Sequence, residues 1–129
     1  MISLKTAEEI HNILVHQFGG ALGVRDLPAL ESALARPFQT FDNVLLYSDP
    51  IHQAAALIES IIVNHPFVDG NKRTGYVLMR LFLLENNFDI RASQEEKYEF
   101  VITIASGNKS LIEIVGWLLS HTSQKNISK

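Results

Sequence analysis

His65, Asp69, Asn71, Lys72 and Arg73 share one short run, His65-Pro66-Phe67-Val68-Asp69-Gly70-Asn71-Lys72-Arg73. An imidazole, a carboxylate, an amide and two cations this close together can handle a phosphate ester. The apolar stretch Val77 to Leu84 follows directly, so a short polar loop feeds the start of a buried helix. Helix starts are anion sites, because the first backbone N–H groups lack intrahelical partners and the dipole adds partial positive charge. Lys72 and Arg73 add full charges, and Arg73 suits a bidentate phosphate clamp. Asp69 is placed to hold Mg2+, with phosphate oxygens and water as the remaining ligands. His65, just upstream, is the candidate general base for the proton of an attacking hydroxyl. The chemistry indicated is transfer of part of a nucleotide onto a nucleophile.

Each residue also has a plainer use. A lone histidine at a helix end is usually a hydrogen-bonder, and an Asp before Gly-Asn is usually a turn former or N-cap. Their concurrence in one loop favours catalysis for His65 and metal binding for Asp69. Gly70 supplies backbone freedom near a phosphate. Asn71 can bond a phosphate oxygen or cap the helix. Lys72 is either a solvated charge or a phosphate contact. Pro66 stiffens the loop entry and Phe67 is a core anchor for the loop. Arg80, two turns beyond Arg73, either extends the cationic site or sits in an ion pair. Arg25-Asp26 and Glu31-Arg36 look like caps and structural pairs. His11, His16, His52 and His121 lack ligand-like spacing and read as surface or core histidines, with no support for a secondary role of His52.

The elements that must position this loop are helical. Thr6-Ala7-Glu8-Glu9 reads as a capping box, followed by Ile10, Ile13, Leu14 and Phe18 at helical spacing up to Gly19-Gly20. Asp26 caps a second helix that Pro37 stops. Phe38, Phe41, Val44, Leu45, Leu46 and Tyr47 surround Asp42-Asn43 without a helical period, which predicts a short hairpin or flap. This flap either covers the core or offers an edge for a target segment. Asp49-Pro50 opens a long amphipathic helix to Asn64. The helix from about Asn71 to Glu85 is apolar on nearly every face, which places it at the centre. Ser93 and Ser110 head two more capping boxes, and the polar tail, residues 121–129, reads as frayed. The expected architecture is an all-α bundle around a central buried helix, one domain over residues 1–120, with one non-helical flap before the catalytic loop.

Composition excludes several classes. The 129 residues suit one domain, and 47 % hydrophobic residues suffice for a core. With no cysteine there are neither disulfides nor thiolate metal sites. The opening residues lack a signal-peptide apolar region, and the longest apolar run is too short to span a bilayer. A cytoplasmic protein is expected. The net charge of −3 argues against a general nucleic-acid binder. Neither a P-loop nor a kinase glycine-rich or His-Arg-Asp motif is present.

The loop resembles the signature of the Fic/Doc family, His-Pro-Phe-x-Asp/Glu-Gly-Asn-Gly-Arg with a further Arg three residues on. Lys72 replaces the second glycine, and Tyr76 holds the place of the distal Arg. Both departures look like the Doc branch, the death-on-curing toxins. Gly19-Gly20, Gly23 to Asp26 and Leu30 to Pro37 resemble the N-terminal half of such proteins, so the likeness extends over roughly residues 1–120. It implies His65 as catalytic base, Asp69 on Mg2+, and Gly70, Asn71, Lys72 and Arg73 on the phosphates of ATP or another nucleoside triphosphate. It also implies that the flap, Phe38 to Tyr47, docks the target. The implied reaction is phosphoryl transfer to a protein hydroxyl, a threonine of elongation factor EF-Tu. Without the glycine and distal Arg, the nucleotide presents its γ-phosphate. The alternatives are AMP transfer, the reaction of most Fic proteins, and a catalytically silent nucleotide- or partner-binding module. No inhibitory Ser/Thr-x-x-x-Glu-Gly/Asn motif occurs in the chain, so a Phd-like antitoxin acting in trans is the implied partner.

Overall fold

Side-chain caps start five of the six α-helices in the computed structural model, which describes residues 1–125. Helix α1 (Leu4–Phe18) begins at Ser3, whose Oγ accepts the Thr6 N–H at 3.1 Å. The box expected at Thr6 and Glu9 is therefore replaced by a start one turn earlier. Ser3 is as good a cap as threonine, and this start leaves buried Ile2 and Ala7 at the hydrophobic staple positions. Asp26 caps α2 (Leu27–Ala35), and a 3-10 turn, Arg36–Phe38, carries the chain through Pro37. Asp49 caps α3 (Pro50–Asn64) with Pro50 at its first position. Helix α4 is Asn71–Glu85. Ser93 and Ser110 form complete capping boxes on α5 (Gln94–Ala105) and α6 (Leu111–His121). The chain is mostly helical, as its patterning predicts.

The most enclosed helix is α3, which corrects the expectation that α4 lies at the centre. Ten of the fifteen residues of α3 are buried, against seven of fifteen in α4. The physical reason is charge. Ala54, Ala55 and Ala56 let α3 be covered on successive faces, and it packs against α2, the 3-10 turn, α4, α5 and α6. Helix α4 carries Lys72, Arg73 and Arg80, whose charges need solvent or a partner. The two helices meet at Gly75, where an added Cβ would lie 3.1 Å from Ile62 Cγ1 and 3.2 Å from Ile61 Cγ2.

The flap is a two-residue hairpin, β1 (Thr40–Phe41) against β2 (Val44–Leu45). Asp42 and Asn43 both have positive φ, the requirement of a type I′ turn. A second antiparallel pair joins β3 (Phe88–Ile90) to β4 (Thr122–Gln124). This pair overturns the expected fraying of the tail as far as Lys125, whose N–H donates to the Asn87 carbonyl. Residues 126–129 of that tail lie outside the described residues. Arg80 settles as an ion pair, not an extension of the cationic site: its guanidinium reaches both oxygens of Asp89 at 2.9 and 3.2 Å.

That pair holds the Asp89 carboxyl below its ordinary value of 3.8, chiefly through the Arg80 hydrogen bond. A depressed carboxyl adds stability that is complete above the unfolded value and lost as pH falls through the folded one. With Arg80 48 % exposed, solvent screening keeps the gain small. Asp89→Asn is expected to cost up to about 1 kcal/mol near neutral pH and almost nothing near pH ~2, checked by urea melts at the two pH values.

Candidate active site

The loop between α3 and α4 is shaped from both ends. His65 is the C-cap of α3 and takes a left-handed conformation, φ 49°, ψ 58°. Gly70 precedes α4, also left-handed, at φ 74°. Between them the chain is zipped to the connection after α1. Val24 bridges Phe67, the Val68 N–H donates to the Gly23 carbonyl, and the Arg25 and Asp26 N–H groups both donate to the Pro66 carbonyl. The Arg25 guanidinium then donates to the carbonyls of His65 and Asn64, each at 2.7 Å. Arg25, which the sequence suggests is only structural, thus fixes the backbone of the candidate base.

His11 is a second residue whose place the sequence does not disclose. It is 1 % exposed and its ring stacks on Phe67 at 4.1 Å. Its Nε2–H donates to the Asp69 carbonyl at 2.8 Å. The Asn71 side chain closes the same turn: its Oδ1 accepts the Phe67 N–H and its Nδ2 donates to the Phe67 carbonyl. With its amide engaged in this way, Asn71 neither caps α4 nor directs its side chain at a phosphate. What it offers an anion is its backbone N–H.

These contacts leave the reactive groups exposed. The His65 ring has no hydrogen bond among the described residues, and it borders a cleft of about 380 Å3 with Val68, Asp69, Gly70, Asn71, Lys72 and Arg73. Helix α4 has no side-chain cap, so the N–H groups of Asn71, Lys72 and Arg73 open onto that cleft. Neither Lys72 nor Arg73 has an ion-pair partner among the described residues. Arg73 lies over the Phe18 ring at 4.2 Å, a cation–π contact that orients the guanidinium without neutralising it. Tyr76 brings no charge one turn further on. Burial raises its phenol above the ordinary value, and its hydroxyl has no partner among the described residues.

The Asp69 carboxylate is exposed and hydrogen-bonded to backbone: Oδ1 accepts the Gly70 N–H at 2.8 Å and Oδ2 the Ala21 N–H at 3.3 Å. A carboxylate has about four acceptor positions, so lone pairs remain for a cation. Among the described residues no group of three His, Cys, Asp or Glu side chains converges. The donor set thus fits an ion that draws most of its ligands from phosphate and water, as Mg2+ does. Gly20 makes the carboxylate's position possible. Its φ is +112°, and a Cβ there would stand 2.9 Å from Asp69 Oδ2. Gly20→Ala is expected to lower the melting temperature by about 4–11 °C, from about 1–3 kcal/mol of backbone strain, and to weaken Mg·ATP binding. Thermal melts and calorimetric titration check both.

Other histidines stay away from the chemistry. His52 pairs with Asp49 at the opposite end of α3, about 20 Å along the helix from His65. His16 bonds the Asn12 carbonyl in its own helix, and His121 stacks on Trp117. The flap divides in two. Phe41, Val44, Leu45 and Leu46 are exposed. Phe38 instead packs on Phe82, and the Tyr47 hydroxyl accepts from Arg36, which also pairs with Glu59 at 2.8 Å. Phe38 and Tyr47 therefore anchor the flap to the helices and are not parts of its free surface.

The family model "Fic/DOC family" matches residues 1–83, a stretch that includes the loop and most of α4. The chain belongs to the Fic/Doc family. It is similar to "Toxin Doc" of Mycolicibacterium smegmatis (strain ATCC 700084 / mc(2)155), 44 % identical over 75 residues. That match covers 58 % of this chain and 58 % of the relative.

Proposed function

We propose that the protein is a Doc-like toxin that transfers the γ-phosphoryl group of ATP, or another nucleoside triphosphate, to a protein hydroxyl. The observation that carries this reading is the His65 ring beside the uncapped start of α4 and its two cations, with no hydrogen bond to the ring and no ion pair to the cations among the described residues. The similarity to a Doc toxin supports the toxin reading.

In this mechanism the first-turn N–H groups, Lys72 and Arg73 seat the terminal phosphate and stabilise its developing charge. Asp69 would hold Mg2+, which would supply charge neutralisation to the phosphates. The target hydroxyl oxygen attacks the γ-phosphorus, and its proton passes to the His65 imidazole. The bond from the γ-phosphorus to the β–γ bridging oxygen breaks, and the nucleoside diphosphate leaves. Arg25 and His11 act through the backbone, holding the His65 and Asp69 positions. Lys72 and the uncharged Tyr76 support the γ-directed pose, because the cation that would grip the far phosphates at position 76 is missing.

The target we propose is a threonine of EF-Tu, whose modification blocks translation. A segment of the target adds along the exposed flap. A groove of about 820 Å3 runs from Gln39 and Thr40 to Asn64, the residue before His65, and supports this approach. A Phd-like antitoxin supplies inhibition in trans. The exposed Phe18, Leu22 and Val68 near the cleft offer it apolar purchase.

Incubation with bacterial lysate, Mg2+ and ATP labelled at the α or the γ position tests the reading. Label from γ on one band of EF-Tu size is expected. Label from α would make the protein an AMP transferase, and label from neither a silent binding module.

A further inference from the structure

Asn64 is the last residue of α3 and lines the groove of about 820 Å3 beside the flap. His65, the next residue, borders the cleft over the start of α4. The two neighbours thus stand where the groove and the cleft meet. Asn64 is exposed, and its carboxamide makes no hydrogen bond among the described residues. We infer that Asn64 is a substrate-binding residue for the acceptor. Its carboxamide pairs with a main-chain peptide group of the target, beside the hydroxyl that His65 deprotonates. The inference rests on the reading that the acceptor is a protein hydroxyl.

The first observation behind it is a shared clamp. The Arg25 guanidinium donates to the carbonyls of both His65 and Asn64, each at 2.7 Å. One planar fork therefore sets the amide against the base. The second is the character of the lining. Ser60 lies one turn before Asn64 on α3, and Ser32, Gln39 and Thr40 complete the neutral polar surface. No acid lines the groove, and its one charged side chain, Arg36, is already paired with Glu59 at 2.8 Å. Neutral hydroxyls and amides complement peptide groups rather than a charged side chain. The third is the chemistry of the carboxamide itself. It carries an acceptor oxygen and two donor hydrogens, which match the N–H and C=O of a polypeptide backbone. From Ser60 to Asn64 the helix rises about 6 Å, the length of about two extended residues. This wall therefore meets the main chain close to the reacting residue.

Such a contact selects the acceptor by conformation. Inside a helix the peptide groups are engaged with one another and are not free to pair with Asn64. The substrate class is a hydroxyl on an extended or loop segment, recognised through its main chain with little demand on the flanking side chains.

Steady-state transfer of γ-label to purified EF-Tu tests this. Asn64→Ala deletes an exposed amide, so the fold is expected to keep its melting temperature. It should lower kcat/KM for EF-Tu about 5- to 25-fold, the worth of one to two neutral hydrogen bonds, with Mg·ATP affinity within about twofold. A synthetic peptide carrying the threonine labelled in EF-Tu, with an ester in place of each flanking amide in turn, identifies the partner. At one position the ester should cost the wild type a similar factor and cost Asn64→Ala nothing further, because both changes remove one pair. Additive losses at both positions, or an unchanged kcat/KM in Asn64→Ala, overturn the assignment and leave the transfer reading standing. Wild-type protein that leaves EF-Tu unlabelled overturns it together with the proposed acceptor.

Discussion

His65→Ala is expected to reduce phosphoryl transfer about 10²–10⁴-fold, the usual contribution of a positioned general base, with Mg·ATP binding nearly unchanged. The ring is exposed and makes no hydrogen bond among the described residues, so its removal opens no cavity and orphans no partner there. The backbone is the complication. At φ 49° an alanine costs about 1–2 kcal/mol more than a residue that tolerates the left-handed region. His65→Asn avoids this, because asparagine enters that region readily while lacking a proton acceptor comparable to imidazole. Equal losses of rate in both variants, with an unchanged melting temperature for the asparagine form, mark the loss as chemical. A rate within about threefold of wild type in His65→Asn would assign the proton to another group, since even weak general-base catalysis exceeds that.

Phe67→Ala is expected to be the most damaging single change to stability, at about 3–5 kcal/mol. The side chain is 1 % exposed and stacks on His11. Truncation therefore leaves a cavity and frees the imidazole that holds the Asp69 carbonyl. Its backbone is gripped by Asn71 on both sides, so the turn cannot collapse to fill the space without breaking that pair. For 129 residues the loss corresponds to a fall in melting temperature of about 11–18 °C, and against a typical total of about 5–15 kcal/mol it threatens the fold. Phe67→Leu keeps most of the volume and should retain most of the stability. A drop below about 1 kcal/mol in Phe67→Ala, read from urea melts, would mean the loop is not built on this ring.

The features visible in the sequence are those that depend on neighbours along the chain. Asp26, Asp49, Ser93 and Ser110 mark helix starts because a cap acts within three residues. Asp42-Asn43 marks the hairpin for the same reason. The loop was legible as a unit because its polar and charged groups fall within one short run, His65 to Arg73. What stayed hidden acts over distance. His11 meets the Asp69 carbonyl 58 positions away, and Arg25 meets His65 across 40. Neither spacing leaves a trace in periodicity. The centrality of α3 depended on which of two apolar helices carries charge, and the polar strand β4 has no alternation to announce it. Asn71 was legible as a polar group at the loop but not as the clamp on Phe67.

A crystal structure with Mg2+ and a non-hydrolysable ATP analogue tests the central claim most directly. The expected result is the terminal phosphate on the N–H groups of Asn71, Lys72 and Arg73, facing the His65 ring. An α-phosphate in that place, or a nucleotide bound away from the start of α4, would contradict it.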